Sequence, residues 1–355
     1  MISNLSVFKN KKVLVTGSTG FKGSWLCIWL DLLGADVYGF SLKPITKSDN
    51  FVVSNLEKKI IQKYGNINNY DEISSYIREV EPEIIFHLAA QPIVKKAYFE
   101  PLETIYSNIN GTAHILEASK NQKSLRAIIN VTSDKCYLNH DEDKPFKEQD
   151  PLGGKDIYSA SKACAEIINF AYQNSFYKNT RCAISSVRAG NVIGGGDWQE
   201  DRIVPDLVRS YEEKKSLKIR MPNAIRPWQH VLEPIYGYLL LTQKMLENPT
   251  MFSGPWNFGP SHNQNISVNE LINMLSLKFD GISIEVENSD VFETTYLRLS
   301  SEKARNLLGW KNVLNENEMI DFTAEWYINF REKNPYNICV NQIKHFEEKI
   351  ELRKT

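Results

Sequence analysis

Hydrophobic and polar positions in the first half of the chain follow two alternating periods. Short apolar runs rich in β-branched residues predict strands: KKVLVTG, DVYGFSL, EIIFHLAA, RAIINVTS and RCAISSVRAGNV. Between them, SWLCIWLDLLG, YDEISSYIREVEP, TIYSNINGTAHILEASKN and YSASKACAEIINFAYQNSF place apolar residues at helical spacing. Strands that are apolar on both faces and separated by helices predict a parallel sheet covered on both sides. In such sheets ligands bind beyond the carboxyl ends of the strands.

From about residue 194 the rhythm changes. GGGDW, IRMPNAIRPWQHVLEP and GPWNFGPSHNQ read as loops, from their Gly, Pro, Trp and Asn content. GYLLLTQKMLEN reads as a packed helix, and VNELINMLSLKF, SEKARNLLGW and the charged C-terminal segment are helical again. The pattern predicts an α/β protein: a Rossmann-type doubly wound parallel sheet with a smaller C-terminal α+β substrate-binding domain. Residues 1–193 form the sheet domain, with 231–260 returning to it. Residues 194–230 and 261–355 form the cap.

Composition narrows the function classes. A chain of 355 residues suits two unequal domains. Lys+Arg number 42 against 43 Asp+Glu, with no basic stripe, so a nucleic-acid partner is not expected. The five cysteines lack CxxC or Cys/His ligand spacing, which predicts reduced thiols, a cytoplasmic setting and no metal site. The N-terminus MISNLSVFKNKK lacks the apolar core of a signal peptide. No apolar run reaches the roughly 18 residues of a membrane span, so no membrane partner is expected either.

Two motifs carry chemistry. GSTGFKG places Gly17, Gly20 and Gly23 between the first strand and the first helix. That arrangement lets backbone N–H groups approach a pyrophosphate at a helix N-terminus. The acidic residue that binds an NAD ribose is absent where it would stand; Ser41 is there, followed by Lys43. Lys22 or Lys43 suits a 2′-phosphate, so spacing leaves NAD and NADP both open. The second motif, YSASK, sets Tyr158 and Lys162 on one helical face. A nearby ammonium lowers a phenol's pKa and equips it to take a proton from an alcohol. VTSDK puts Ser133, Asp134 and Lys135 on the loop after a strand beside that helix.

Taken together, the glycine loop, HLAAQ at His87–Gln91, the YxxxK pair and the cap resemble the extended short-chain dehydrogenase/reductase family over nearly the whole chain. VTGSTGFKGSWL, HLAAQPIVKKAY, VTSDKCY, DPLGGKDIYSASK, RAGNVIGGGDW and RPWQHVLEP are similar to its nucleotide-sugar 4,6-dehydratases, and among these to the group acting on CDP-glucose. The resemblance implies a lyase with tightly held NAD. It would convert CDP-D-glucose to CDP-4-keto-6-deoxy-D-glucose and water, in deoxysugar synthesis for a bacterial surface polysaccharide. Tyr158 would take the C4 hydroxyl proton, assisted by Lys162. Ser133 would bind the C4 oxygen and Asp134 would protonate the departing C6 hydroxyl. Most members carry Asp-Glu here, with the glutamate as C5 base; the CDP-glucose group shares Asp134-Lys135. Lys135 is then a base with a depressed pKa or a fixed charge beside the C5 enolate.

The resemblance also implies contacts. Gly17, Thr19, Gly20, Phe21, Lys22 and Gly23 would line the pyrophosphate. Asn66 and Ile67 would flank adenine, although Asp is commoner than Asn at the first. Ala89, Ala90 and Gln91, with Tyr158 and Lys162, would lie along the nicotinamide. Asn191, Arg202 and Arg226 would hold the substrate diphosphate; His230 fits either a nucleotide contact or a packed structural histidine beside tryptophan. Trp198 and Trp228 fit either cap core or a stacking platform. Two helices, TIYSNINGTAHILEASKN and YSASKACAEIINFAYQNSF, would pair with a second copy in a homodimer, with a tetramer as a further step. Rival readings are a 4-epimerase, which has no need of Asp134-Lys135, another dehydratase, for which Asp-Glu is expected, and a catalytically silent dinucleotide-binding protein.

Overall fold

The computed structural model describes residues 3–260, 266–279, 282–287 and 296–353. Seven parallel strands build one sheet: β1 (Lys12–Thr16), β2 (Asp36–Ser41), β3 (Ile61–Tyr64), β4 (Ile84–His87), β5 (Ala127–Val131), β6 (Ala183–Ala189) and β7 (Gly254–Phe258). Their order is β7-β6-β5-β4-β1-β2-β3. β1 is the switch point: Val15 stands opposite Gly39 of β2 on one side and Phe86 of β4 on the other. Connections leave β1 and β4 in opposite directions, so a crevice opens above their carboxyl ends.

Alternate residues of each central strand serve two cores. On one face Val13, Val15, Phe86 and Ile129 pack with Trp25 and Trp29 of α1 (Phe21–Leu32). On the other, Leu14, Ile85, Ile128 and Ile184 meet Ile73 and Ile77 of α2 (Tyr70–Val80). The helix predicted over TIYSNINGTAHILEASKN is divided. α3 (Pro101–Ile105) runs into a π turn at Tyr106–Asn110 and on into α4 (Gly111–Ser119). α5 (Ile157–Tyr172) carries the YSASK motif.

Two strands escape the hydrophobic pattern, and both lie at sheet edges. IQKY of β3 is mostly half-exposed. GPWNF of β7 reads as loop because of its Gly, Pro and Asn; an edge strand tolerates proline, which needs no partner for its missing N–H. Ser261–Gln264, from the same predicted loop, lie outside the described residues.

The cap combines α6 (Ile203–Glu213), α8 (Val268–Ser276), α9 (Glu316–Asn329) and short strand pairs, with Leu217–Ile219 alongside Ile284–Val286. α7 (Leu232–Glu247) packs behind the sheet, and α10 (Pro335–Leu352) lies against α1. Capping boxes at Ser267/Glu270 and Asn315/Glu318 fix the starts of α8 and α9. Trp198 packs on Tyr327 and Phe330 in the cap core. Among the described residues no helix is long and apolar enough to cross a membrane, and no group of His, Cys, Asp or Glu could hold a metal ion.

Candidate active site

The crevice at the switch point widens into a cleft of about 620 Å³ between sheet and cap. Its floor is the turn from β1 into α1. Gly17 has φ +73°, and a Cβ there would sit 2.8 Å from the Ala89 nitrogen. A Cβ on Gly23 would come within 2.1 Å of the Gly17 carbonyl oxygen, so α1 seats directly on the turn. Gly20 caps α1 without a side-chain hydrogen bond, which leaves the first helical amides to face an anion. Thr19 Oγ1 donates to the Leu42 carbonyl at 3.0 Å and ties the loop to the end of β2. A cradle of backbone donors that any side chain would fill fits a dinucleotide pyrophosphate.

Ser41 closes β2 and is 5% exposed. Its hydroxyl lies 3.2 Å from Ser18 Oγ, and Gln62 donates to it at 3.2 Å. Lys22 lies elsewhere: Asp134, Lys162, Arg202 and Asp197 surround it, and burial lowers its pKa to about 8. It therefore belongs to the reacting end of the cleft rather than to a ribose 2′-phosphate. Asn66 accepts the Asn68 N–H on its side-chain oxygen at 2.9 Å. Ile67 packs on Gly111.

Ala89, Ala90 and Gln91 follow β4. Ala89 donates its N–H to Thr16 Oγ1 at 3.2 Å, and Thr16 meets His87 Nδ1 at 2.7 Å. Burial, with the Lys162 charge, lowers the His87 pKa to about 3, so the ring is neutral. Asn108, on the π turn, accepts the Gln91 N–H at 2.8 Å and donates to both the Gln91 carbonyl and Ser161 Oγ. It thereby locks the loop to α5. Motif reading passed over Asn108; its only sequence signal is an asparagine inside a helical pattern.

Thr132 N–H bonds the Val187 carbonyl at 3.0 Å and carries β5 to its end. The chain then turns at Ser133, whose Oγ accepts the Lys135 N–H at 3.2 Å and donates to Asp134 Oδ1 at 3.0 Å. Asp134 is 4% exposed, and its Oδ2 has no hydrogen-bond partner among the described residues. Burial raises its pKa, against the opposing charge of Lys135. Lys135 is half-buried beside it. Asp156 caps α5 through the Ser159 N–H at 2.9 Å and so fixes the turn that carries Tyr158.

Tyr158 and Lys162 both line the cleft with Ser133, Asp134 and Lys135. The expectation that the lysine depresses the phenol is corrected here. Burial dominates and pushes Tyr158 up to about 12, with the Ser133 hydroxyl working the other way. Lys162 is itself lowered to about 8 by burial, and Glu166 opposes that shift.

Asn191, just past the end of β6, and Arg202 and Arg226 line the same cleft. Arg202 donates to Asp197 Oδ2 at 2.7 Å, a partner the sequence did not single out. His230 is not brought to the cleft. It is fully buried between Trp25 and Phe322, with ring centroids at 5.8 and 5.5 Å. Its Nδ1 accepts the Leu232 N–H, and burial lowers its pKa to about 3. It is a packed core residue. Trp228 borders the cleft while its Nε1 donates to the Ile266 carbonyl at 3.1 Å.

Solved structures with the same fold include a dTDP-glucose 4,6-dehydratase from Bacillus anthracis in complex with NAD (TM-score 0.74, 21% identity, covering 92% of this chain and 99% of that one). A UDP-glucuronic acid 4-epimerase from Bacillus cereus, with UDP-glucuronic acid and NAD, gives 0.77 at 20% identity, over 90% and 99%. At these identities the likeness is one of fold. In sequence, the chain is 41% identical over 328 residues to a CDP-glucose 4,6-dehydratase of Salmonella typhimurium, covering 90% of this chain and 91% of the relative. A dTDP-D-glucose 4,6-dehydratase of Bos taurus is 25% identical, over 89% and 88%. The family model for GDP-mannose 4,6 dehydratase matches residues 14–323, a span that holds the glycine turn, the Ser133–Lys135 loop, Tyr158, Lys162, Arg202 and Arg226. This chain belongs to that dehydratase family.

Proposed function

We propose that the chain is an NAD-dependent CDP-glucose 4,6-dehydratase, a hydro-lyase. Residues 1–193 with 231–260 hold the dinucleotide, and the cap elements α6, α8 and α9 with the strand Leu217–Ile219 close over the sugar nucleotide, while α10, expected in the cap, packs against α1. Bound NAD supplies reversible oxidation, at C4 in the first step and in reverse at C6 in the last. The protein's residues handle the protons. Tyr158 takes the C4 hydroxyl proton against the burial that raises its pKa, with Lys162 one helical turn away in the same cleft, while Ser133, its hydroxyl turned from Asp134 to the substrate, donates a hydrogen bond to the C4 oxygen. The 4-ketone acidifies the C5 hydrogen. The C5 proton passes to a base, for which Lys135 on the cleft loop is the candidate, and Asp134 gives its proton to the C6 hydroxyl, which leaves as water. Arg202 and Arg226 suit the diphosphate through their forks of donors.

The observation that carries this reading is Asp134: buried, raised in pKa, with one oxygen unpaired, in the cleft that holds Tyr158. A 4-epimerase needs the tyrosine but no such acid. The 41% identical relative supports the choice of CDP-glucose. The test supplies CDP-, UDP-, dTDP- and GDP-linked glucose side by side with NAD. Expected is a 4-keto-6-deoxy product from CDP-glucose, read by its absorbance in alkali, with no net rise at 340 nm. A C4 epimer, or a steady 340 nm rise, would defeat the proposal.

A homodimer is part of the same proposal. Phe99 and Leu102 are 76% and 62% exposed, and Ile167 and Phe170 on α5 are 54% and 64% exposed. Exposed apolar residues on neighbouring helices suit a second copy. Phe170→Glu should give a monomer in sedimentation velocity; an unchanged dimer would exclude this face.

A further inference from the structure

Resting on the reading above, the geometry points to Asp206 as the residue that reads the nucleobase. The cleft runs on from Arg202 and Arg226 to the first turns of α6 and the end of the strand Leu217–Ile219. With the sugar at Tyr158 and the diphosphate at the arginines, this end receives the nucleoside. Its walls include Val204, Pro205 and Met221, flat apolar surface of the kind a pyrimidine ring covers. Three charged side chains interrupt them, Asp206, Lys218 and Arg220, and of these only Asp206 is an acceptor.

Asp206 is 34% exposed and paired one turn on with Arg209, which donates to its Oδ1. The Arg220 charge lies close to the same carboxylate. These contacts fix its orientation and leave it an acceptor. A carboxylate accepts hydrogen bonds and donates none when ionised. Cytosine presents a 4-amino donor on its pairing edge, with acceptors at N3 and O2; uracil and thymine present a 4-oxo acceptor and an N3–H donor. Carboxylate pairing with the cytosine amino group is a recognised match of donor to acceptor. A 4-oxo group in the same place would face the carboxylate's negative charge. Arg220 supplies donors for the ring's acceptors. Neither residue belongs to a contiguous catalytic motif, so the selectivity lies in the cap.

The test compares wild type with Asp206→Ala and Asp206→Asn, all loaded with NAD. Binding of CDP and UDP is measured by calorimetry, and kcat and KM are measured with CDP-glucose and UDP-glucose. Wild type should favour CDP by about tenfold or more, the discrimination one good base contact provides. Asp206→Ala should weaken CDP by about tenfold and change UDP by less than about threefold, with the loss in turnover falling on KM. A purely structural role would weaken both nucleotides alike. Should Asp206→Ala lose NAD binding through misfolding, the isosteric Asp206→Asn carries the comparison, and its CDP:UDP ratio should also fall. A ratio unchanged in the folded variant overturns the role of Asp206. Failure of wild type to convert CDP-glucose overturns instead the function on which this inference rests.

Discussion

The Glu166 carboxylate meets the Arg188 guanidinium at 2.7 Å, and both side chains are 2% exposed. Glu166 also accepts the hydroxyls of Thr132 and Ser186. Arg188 goes on to donate to the Tyr137 hydroxyl at 2.6 Å, which in turn donates to Asn257. Thr132 directly precedes Ser133, and Glu166 lies one helical turn beyond Lys162. One buried pair therefore ties the catalytic strand end to the catalytic helix and to β7.

Breaking that pair one-sidedly leaves a charge buried without its counterpart. Glu166→Gln or Arg188→Met alone should cost about 3–5 kcal/mol, read by urea denaturation. The double variant should cost clearly less than the sum, because neither charge is stranded. Singles that each cost under about 1 kcal/mol would show that the pair does not hold this junction.

Lys162 sets function against stability. Burial lowers its pKa from 10.5 to about 8. A base whose folded value lies below its unfolded value is a cost to the fold wherever it must be charged. Below about pH 8 both states bind the proton and the cost is complete, on the order of 3 kcal/mol. Between about pH 8 and 10.5 the unfolded chain binds more protons, so stability rises with pH. Lys162→Met should accordingly be inactive yet more stable than wild type at pH 7, with the gain fading toward pH 10.5. Denaturation at the two ends of that range decides it; a methionine variant less stable at pH 7 would sink the idea.

The parts of this site that were legible in the sequence are those built from neighbours in the chain. The glycine turn, the Ser133–Lys135 loop and the Tyr158/Lys162 pair each lie within one short segment, where local rules of turn and helix suffice. The sheet was legible wherever strands are buried on both faces. β3 and β7 were not, because edge strands carry polar residues, glycine and proline that mimic loops. His230 could not be decided between nucleotide contact and core because its burial comes from Trp25 and Phe322, which only the fold brings to it. Asn108, Asp197 and the Glu166–Arg188 pair share that difficulty: each acts through a partner or neighbour supplied by another element or loop. The Tyr158 pKa follows burial, a quantity that no spacing encodes.

Asp134 and Lys135 make a second pH prediction. The acid that protonates a leaving hydroxyl must itself hold a proton, so turnover falls as pH rises through the Asp134 pKa. Burial raises that pKa, and the Lys135 charge is the largest influence opposing the rise. Lys135→Met removes that charge, and the alkaline limb of kcat attributable to Asp134 should move to higher pH. Lys135→Arg preserves the charge and should leave the limb in place. Tyr158 and Lys162 are unchanged in both variants, so their own titrations drop out of the comparison. Turnover at the optimum separates Lys135's two candidate roles at C5. A fixed cation beside the enolate is replaceable by arginine, whereas a proton acceptor is not, since arginine stays protonated. Lys135→Met should lose about a hundredfold in kcat, and Lys135→Arg should recover at least about a tenth of wild type if charge is what C5 requires. An alkaline limb that stays put in Lys135→Met would show that Asp134 is not the proton donor whose titration limits the reaction.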